Sequence, residues 1–154
     1  MSSKPDRIRD LLRGCSTLAL ATADRNGAPQ STPLFFVMDE AMRLYWFSSR
    51  RSLHSCNLAA CGEASVAVFH ETDHWRQIRG VQMRGIASIV EDRERRREAV
   101  RSYCERFALG EFFAAAIRRS ALYCFTPYWV RYIDNTLRFG YKFEVELPAP
   151  ERAD

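Results

Sequence analysis

The 154-residue chain has no apolar run of membrane-spanning length, no Cys-x-x-Cys pair and no Gly-x-Ser-x-Gly elbow. It also has no internal repeat and no low-complexity segment. The first absence, with a start at Met1-Ser2-Ser3-Lys4-Pro5-Asp6 that is charged rather than apolar, predicts a soluble, cytoplasmic protein with no signal peptide and no membrane partner. The five cysteines, Cys15, Cys56, Cys61, Cys104 and Cys124, form an odd set; most have apolar neighbours, so they read as reduced core residues. Without an elbow, and with nothing that pairs a particular Cys with a particular His, a nucleophilic hydrolase has little support. His70 and His74 stand four apart but straddle a polar loop after a strand, with no third ligand close in sequence. No metal is expected there.

What is present is an ordinary globular balance, 47% hydrophobic and 27% charged. One domain over residues 1–147 is expected, with 148–154 as a disordered tail. The net charge of +4 is mild and fits a small anionic ligand as easily as nucleic acid. The arginine run Arg93, Arg95, Arg96, Arg97 and Arg101 is interleaved with Glu91, Asp92, Glu94, Glu98 and Glu105. It reads as the wet face of an amphipathic helix laced by i,i+4 pairs. No RNA-recognition or helix-turn-helix signature accompanies it, so no nucleic-acid partner is expected.

Pro5 to Arg13 reads as a short amphipathic helix ended by Gly14. Cys15 to Ala23 reads as a strand, and Asp24-Arg25-Asn26-Gly27 as a hairpin turn whose glycine accepts positive φ. Gln30 to Met38 returns as a strand in which Pro33 marks an edge or a place where the backbone leaves the ladder. Arg43 to Ser48, Ala64 to His70, Ile78 to Val90 and Leu122 to Asp134 are further strands; Gly80 and Gly85 signal a bulge, a bend or a ligand against the backbone. Ser52 to Cys61, stopped by Gly62, Asp92 to Phe107 and Glu111 to Arg118 read as helices. The longest of these places Ala99, Val100, Tyr103, Cys104 and Phe107 on one face. Leu137 to Leu147 is too aromatic for a free linker. Five or six antiparallel strands with helices between some of them predict an α+β fold, a small antiparallel split β-barrel with peripheral helices.

The most suggestive stretch is Leu44 to Leu58, an aromatic strand that breaks at Ser48-Ser49-Arg50-Arg51-Ser52 into a helix. Free N–H groups of a first helical turn favour an anion; the serine hydroxyls add donors, and Arg50, Arg51 and His54 add positive charge. A Ser-capped surface helix accounts for the same residues. The late segment Asp134 to Lys142 crowds polar donors, aromatics and a lysine together; it suits a turn or a planar, polar cofactor equally.

Taken in order, Ala21-Thr22-Ala23, Gly27-x-Pro29, Leu44 to Ser49, Ser52-x-His54 and Ile78 to Gly85 resemble the FMN-binding split-barrel superfamily of the pyridoxamine 5′-phosphate oxidases. Ile78-Arg79-Gly80-Val81-Gln82 and the late Asp134-Asn135-Thr136 with Phe139-Gly140-x-Lys142 are similar to a poorly characterised bacterial branch of it. The resemblance implies a homodimer with FMN at its interface, and a flavin-dependent oxidoreductase of unidentified small-molecule substrate. It implies flavin-ring contacts at Thr32, Pro33, Leu34 and Phe35, and phosphate contacts at Phe47, Ser48, Ser52, Leu53 and His54. Gly80 and Gln82 fall beside the ring, and Asp134, Asn135 and Lys142 on its substrate side. No catalytic acid or base is assigned. True oxidases of the superfamily carry basic residues where this chain has Thr32, Leu53 and His54, and they end in an Arg-x-His motif that this chain lacks. Pyridoxamine 5′-phosphate oxidase activity is therefore not expected. The alternative is a non-catalytic split barrel that binds flavin, haem or another planar ligand.

Overall fold

The computed structural model describes residues 2–150. Helix α1 (Lys4–Arg13) begins with a capping box between Ser3 and Asp6 and buries Ile8, Leu11 and Leu12. Strands β1 (Thr17–Ala23) and β2 (Pro29–Phe35) form a hairpin through Asp24 to Gly27, where Gly27 has φ 83°. The expected single strand over 30–38 is broken: Phe36 separates β2 from β3 (Val37–Met38). Strand β4 (Leu44–Ser48) leads into α2 (Leu53–Ala60), and β5 (Glu63–Phe69) and β6 (Arg79–Ile89) follow. Helices α3 (Arg93–Phe107) and α4 (Glu111–Arg119) precede β7 (Ala121–Asp134) and β8 (Lys142–Glu146). The aromatic tail is thus an eighth strand. Residues 147–150 are irregular, and the rest of the expected disordered tail, 151–154, lies outside the described residues.

All strands belong to one antiparallel sheet in the order β2-β1-β5-β6-β7-β4-β3, with β8 also on β7. The two ends of that order, β2 and β3, are one residue apart in the chain. The sheet must therefore curl until its ends meet, which makes the α+β split barrel. The first half of β7 pairs with β4 and the second with β8, and the register of β6 against β7 shifts between Arg84 and Gly85. Pro33 does lie on an edge strand, because β2 has a partner only in β1. Inside the barrel, Leu20, Phe36, Leu44, Trp46, Val68, Val81, Met83, Phe125 and Val130 are buried.

Gly85 is fixed by packing: a Cβ there would lie 2.6 Å from the Phe125 ring and against the Thr126 carbonyl. At Gly80 it would meet the Val68 carbonyl at 2.8 Å, so strand β5 fills that space. Helix α2 ends at Ala60 with Cys61 extended, so Gly62 is not the stop. Only Cys15 and Cys124 are buried, whereas Cys56 and Cys61 are exposed, contrary to the core reading. The arginines of α3 also depart from a uniformly wet face. Arg95 donates to the Tyr45 hydroxyl (2.7 Å), and Arg96 reaches the carbonyls of Ile117 (3.1 Å) and Ser120 (2.9 Å). Among the described residues no acid of α3 pairs with an arginine at i,i+4. Long guanidinium stems reach inward over the helix surface, where the carbonyls at the end of α4 need donors.

Candidate functional site

The end of β4 and the start of α2 bring Ser48, Ser52 and His54 together. The His54 Nε2 atom lies 2.7 Å from the Ser48 hydroxyl and 3.1 Å from that of Ser52. Ser52 Oγ also lies 2.9 Å from the Ser49 carbonyl and 2.7 Å from Ser55 Oγ. Ser52 is the N-cap of α2, yet its side chain makes no capping hydrogen bond. Its hydroxyl is drawn into the serine–histidine cluster, which leaves the first-turn N–H groups without the usual side-chain acceptor.

His54 is 7% exposed, and burial pushes its pKa below the ordinary value. The imidazole is therefore neutral at pH 7, a hydrogen-bonding group rather than a fixed cation. Arg50 is exposed and pairs with Glu91 at 3.4 Å; Leu53 points outward. Alongside α2 runs a cleft of about 830 Å³ lined by Arg50, Ser55, Leu58, Cys61, Ile86 and Tyr123, among others. Ser55 is 2% exposed and belongs to both the cluster and the cleft. The sequence reading missed it, although its spacing of three from Ser52 on a helix was a usable signal.

Thr32 to Phe35 lie on the edge strand, where the backbone side facing away from β1 has no strand partner. Tyr103 of α3 joins this strand to the cluster: its hydroxyl donates to the Phe35 carbonyl, and its ring stands edge-on to Phe47 at 5.1 Å. Burial raises its phenol pKa. No sequence signal links Tyr103 to a residue 68 positions earlier. Pro33, Ala19, Ala67 and Gln82 form one transverse row across β2, β1, β5 and β6. Gln82 therefore faces the same outer surface as Pro33, across a shallow trough floored by Ala19, Ala21, Ser65 and Ala67.

Gly80, Asp134, Asn135 and Lys142 sit elsewhere. Asp134 pairs with Arg79 at the start of β6, whereas Ser48 pairs with Ala121 at the start of β7. Thirteen residue steps of strand separate the two, a contour on the order of 40 Å. Asp134 is buried and accepts from the Tyr132 hydroxyl (2.9 Å), the Thr136 hydroxyl (2.6 Å) and the Thr136 amide (3.0 Å), with Arg79 Nε at 3.3 Å. Burial alone would raise its pKa. The hydrogen bonds from Thr136 and Tyr132 and the Arg79 charge outweigh burial, and the carboxyl stays below the usual range. Asn135 accepts from the Gly140 amide and donates to the Trp75 carbonyl, closing the β7–β8 turn; Lys142 is exposed. The chain therefore brings the serine–histidine cluster and the β2 edge together and leaves Gly80, Asp134, Asn135 and Lys142 at the far end of its sheet.

The donor set suits a phosphate monoester: hydroxyls of Ser48, Ser52 and Ser55, a neutral imidazole and an uncapped helix start, with guanidinium groups at the rim. No helix among the described residues is long and apolar enough to cross a membrane. Residues 5–134 match the family described as pyridoxamine 5′-phosphate oxidase. No curated protein matches the chain. Among solved structures it is similar to HutZ, the heme storage protein from Vibrio cholerae (21% identity, TM-score 0.69, 82% of this chain and 91% of that one). It is also similar to a conserved hypothetical protein from Mycobacterium tuberculosis (19%, TM-score 0.78, 100% and 94%). A heme binding protein from Mycobacterium smegmatis is a third (17%, TM-score 0.79, 95% and 59%). At these identities the likeness speaks for the fold.

Proposed function

Because the chain belongs to the pyridoxamine 5′-phosphate oxidase family, we propose that it is a homodimer that binds FMN and acts as a flavin-dependent oxidoreductase on a small molecule. The observation that carries this reading is the convergence of Ser48, Ser52 and His54 on the uncapped start of α2. The phosphate would accept hydrogen bonds from these side chains and from first-turn N–H groups, with Phe47 and Leu53 beside it. Arg50 and Arg51 would supply the compensating charge from the rim, Arg50 by leaving Glu91. The flavin supplies electron-transfer chemistry when bound. The chain orients it along the open edge at Thr32 to Phe35, where backbone groups are available to a planar, polar ring. Gln82 would face the ring across the trough from Pro33, whereas Gly80, Asp134, Asn135 and Lys142 would reach it from the second protomer, since their own protomer holds them at the other end of β6 and β7.

The test is a visible spectrum of the purified protein before and after addition of FMN. A flavin spectrum that stays with the protein through gel filtration is the expected result. If FMN neither co-purifies nor binds at micromolar concentration, the proposal fails. A second reading, a non-catalytic binder of haem or another planar ligand, draws support from the two fold relatives whose names include heme. It also draws on the scarcity of fixed charge at the phosphate end. A Soret band in the same spectrum, or bound FMN that neither NADH nor NADPH reduces with any substrate tried, would favour it.

A further inference from the structure

We infer that the substrate is a planar anion of one or two fused rings, held by its carboxylate on Arg84 in the outer trough of the sheet. The inference rests on the FMN reading, because the trough adjoins the edge to which that reading assigns the flavin. Strand register builds the trough from two transverse rows. The row from Pro33 to Gln82 continues to Arg131 and Glu144. In the next row Ser31, Ala21 and Ser65 lead across β2, β1 and β5 to Arg84 on β6 and Trp129 on β7. Residues two apart on a strand share a face, so both rows look outward. The FMN reading uses the first row and leaves the second unassigned. Small side chains of β2, β1 and β5 make a floor, and long ones of β6 and β7 make a wall, around a hollow of about 310 Å³. A strand spacing of about 4.8 Å and a row spacing of about 6.8 Å give a floor of roughly 10 by 7 Å, the footprint of a small planar molecule.

Charge decides the class of substrate. Of the two arginines in the wall, Arg131 is engaged in the fold. It pairs with Glu144 at 2.8 Å and reaches Gln82 at 3.5 Å, while Trp129 donates to the same carboxylate at 3.2 Å. Arg84 is exposed, and its guanidinium lies over the Trp129 indole, 4.6 Å from the ring centre. Among the described residues it has no ion pair and no hydrogen bond. A guanidinium stacked on a ring face keeps its N–H edge for a carboxylate. Ser65, directly across the β5–β6 pair from Arg84, sets a hydroxyl beside it. Glu63, two residues before Ser65, lines the cleft beside α2 and not this trough. Lys142, which the FMN reading brings from the second protomer, would add charge of the same sign as Arg84. Nor is Arg84 within reach of the serine–histidine cluster. Its partner Trp129 stands eight residue steps along β7 from Ala121, the partner of Ser48, a contour on the order of 25 Å. An anion in the trough therefore gains a charged donor for the hydration it loses, whereas an uncharged molecule gains the floor alone.

The experiment uses the full chain loaded with FMN and two probes of one shape that differ in charge: naphthoate, a planar carboxylate, and naphthamide, its uncharged counterpart. Each is titrated without oxygen, following the flavin absorption band and the tryptophan fluorescence. Naphthoate is expected to bind at least about tenfold more tightly. Arg84→Gln, a change at an exposed side chain, should bring the two affinities together; the wild-type comparison needs no variant. Equal affinity of the wild type for the two probes, or a preference for naphthoate that survives Arg84→Gln unchanged, overturns the inference. FMN binding is titrated first and separately. A protein that holds no FMN yet prefers naphthoate through Arg84 keeps the anion site and loses the flavin reading. A protein that holds FMN and ignores the charge of the probe does the reverse.

Discussion

His54 is neutral before a phosphate arrives and should not remain so afterwards. Burial alone lowers its pKa, and no charged side chain enters the cause of that shift. A phosphate accepting from Ser48 and Ser52 would lie within about 4 Å of the imidazole, since those hydroxyls already stand 2.7 and 3.1 Å from Nε2. Opposite unit charges at about 4 Å attract by about 4 kcal/mol at an effective dielectric near 20. That attraction raises the imidazole pKa and favours proton uptake by the ring as FMN binds. By linkage, a group whose pKa rises on binding takes up a proton, so affinity falls as pH rises, by at most about tenfold per pH unit. The useful window lies above roughly pH 6.5, where the phosphate monoester is already a dianion. Calorimetry at pH 7.5 in two buffers of different ionisation heat gives the number of protons taken up. Wild type should take up protons on binding FMN, and His54→Gln, which keeps a hydrogen-bonding side chain but does not titrate, should take up none. Equal proton uptake by the two proteins would refute the assignment of His54 to the phosphate.

Three further outcomes test the fold around the site. Gly85→Ala should destabilise the protein by about 3 kcal/mol in a denaturant titration, because its methyl would press on the Phe125 ring and the Thr126 carbonyl with no room to relax; a loss under about 0.5 kcal/mol would contradict that packing. Asp134→Asn should cost about 2 kcal/mol at pH 7, a figure kept low because its partner Arg79 is 41% exposed. Its carboxyl pKa is lowered in the fold, so this stabilisation exists above the unfolded value of 3.8 and is lost as pH falls through the folded value; acid melts should show wild type and variant converging there, and parallel curves would count against it. Tyr103→Phe should cost about 1 kcal/mol and speed amide exchange along β2, since the phenol is what holds the Phe35 carbonyl.

Alternation along the chain made most strands legible, and what it missed follows from pairing at a distance. Nothing in the apolar pattern of 30–38 announces that Phe36 hands the chain from β1 to β4; a change of partner leaves the side-chain period intact. The eighth strand escaped because it pairs with the second half of β7, beyond the shifted register at Gly85. Cys56 and Cys61 looked buried because they have apolar neighbours, yet α2 turns its polar residues His54, Ser55 and Asn57 inward and leaves Leu53, Cys56, Ala59 and Ala60 exposed. Arg95 and Arg96 looked solvated because composition records a charge and not the reach of its stem.

The candidate site divides along the same line. Ser48, Ser52 and His54 lie within seven residues at a strand-to-helix turn, and local geometry alone brings them together, so the sequence could name them. Asp134, Asn135 and Lys142 were grouped with them on resemblance, yet the register of β6 and β7 sends them to the opposite end of the sheet. Moreover, Asp134 and Asn135 already fold the β7–β8 turn, through Thr136, Tyr132, Arg79, Gly140 and Trp75. Their structural work fully accounts for their presence in one protomer. A role at the ring then requires a second protomer running in the opposite sense, so that the Asp134 end of one chain meets the His54 end of the other. The shallow outer trough of Ala19, Ala21, Ser65 and Ala67, bordered by Gln82 and Trp129, is a surface on which two sheets can approach closely. Ala19→Arg, a bulky charge placed in that trough, should therefore give monomers by sedimentation and weaken FMN binding although it touches no phosphate contact. A monomeric variant that binds FMN as tightly as wild type would show that a single protomer holds the whole site, and would remove Asp134, Asn135 and Lys142 from it.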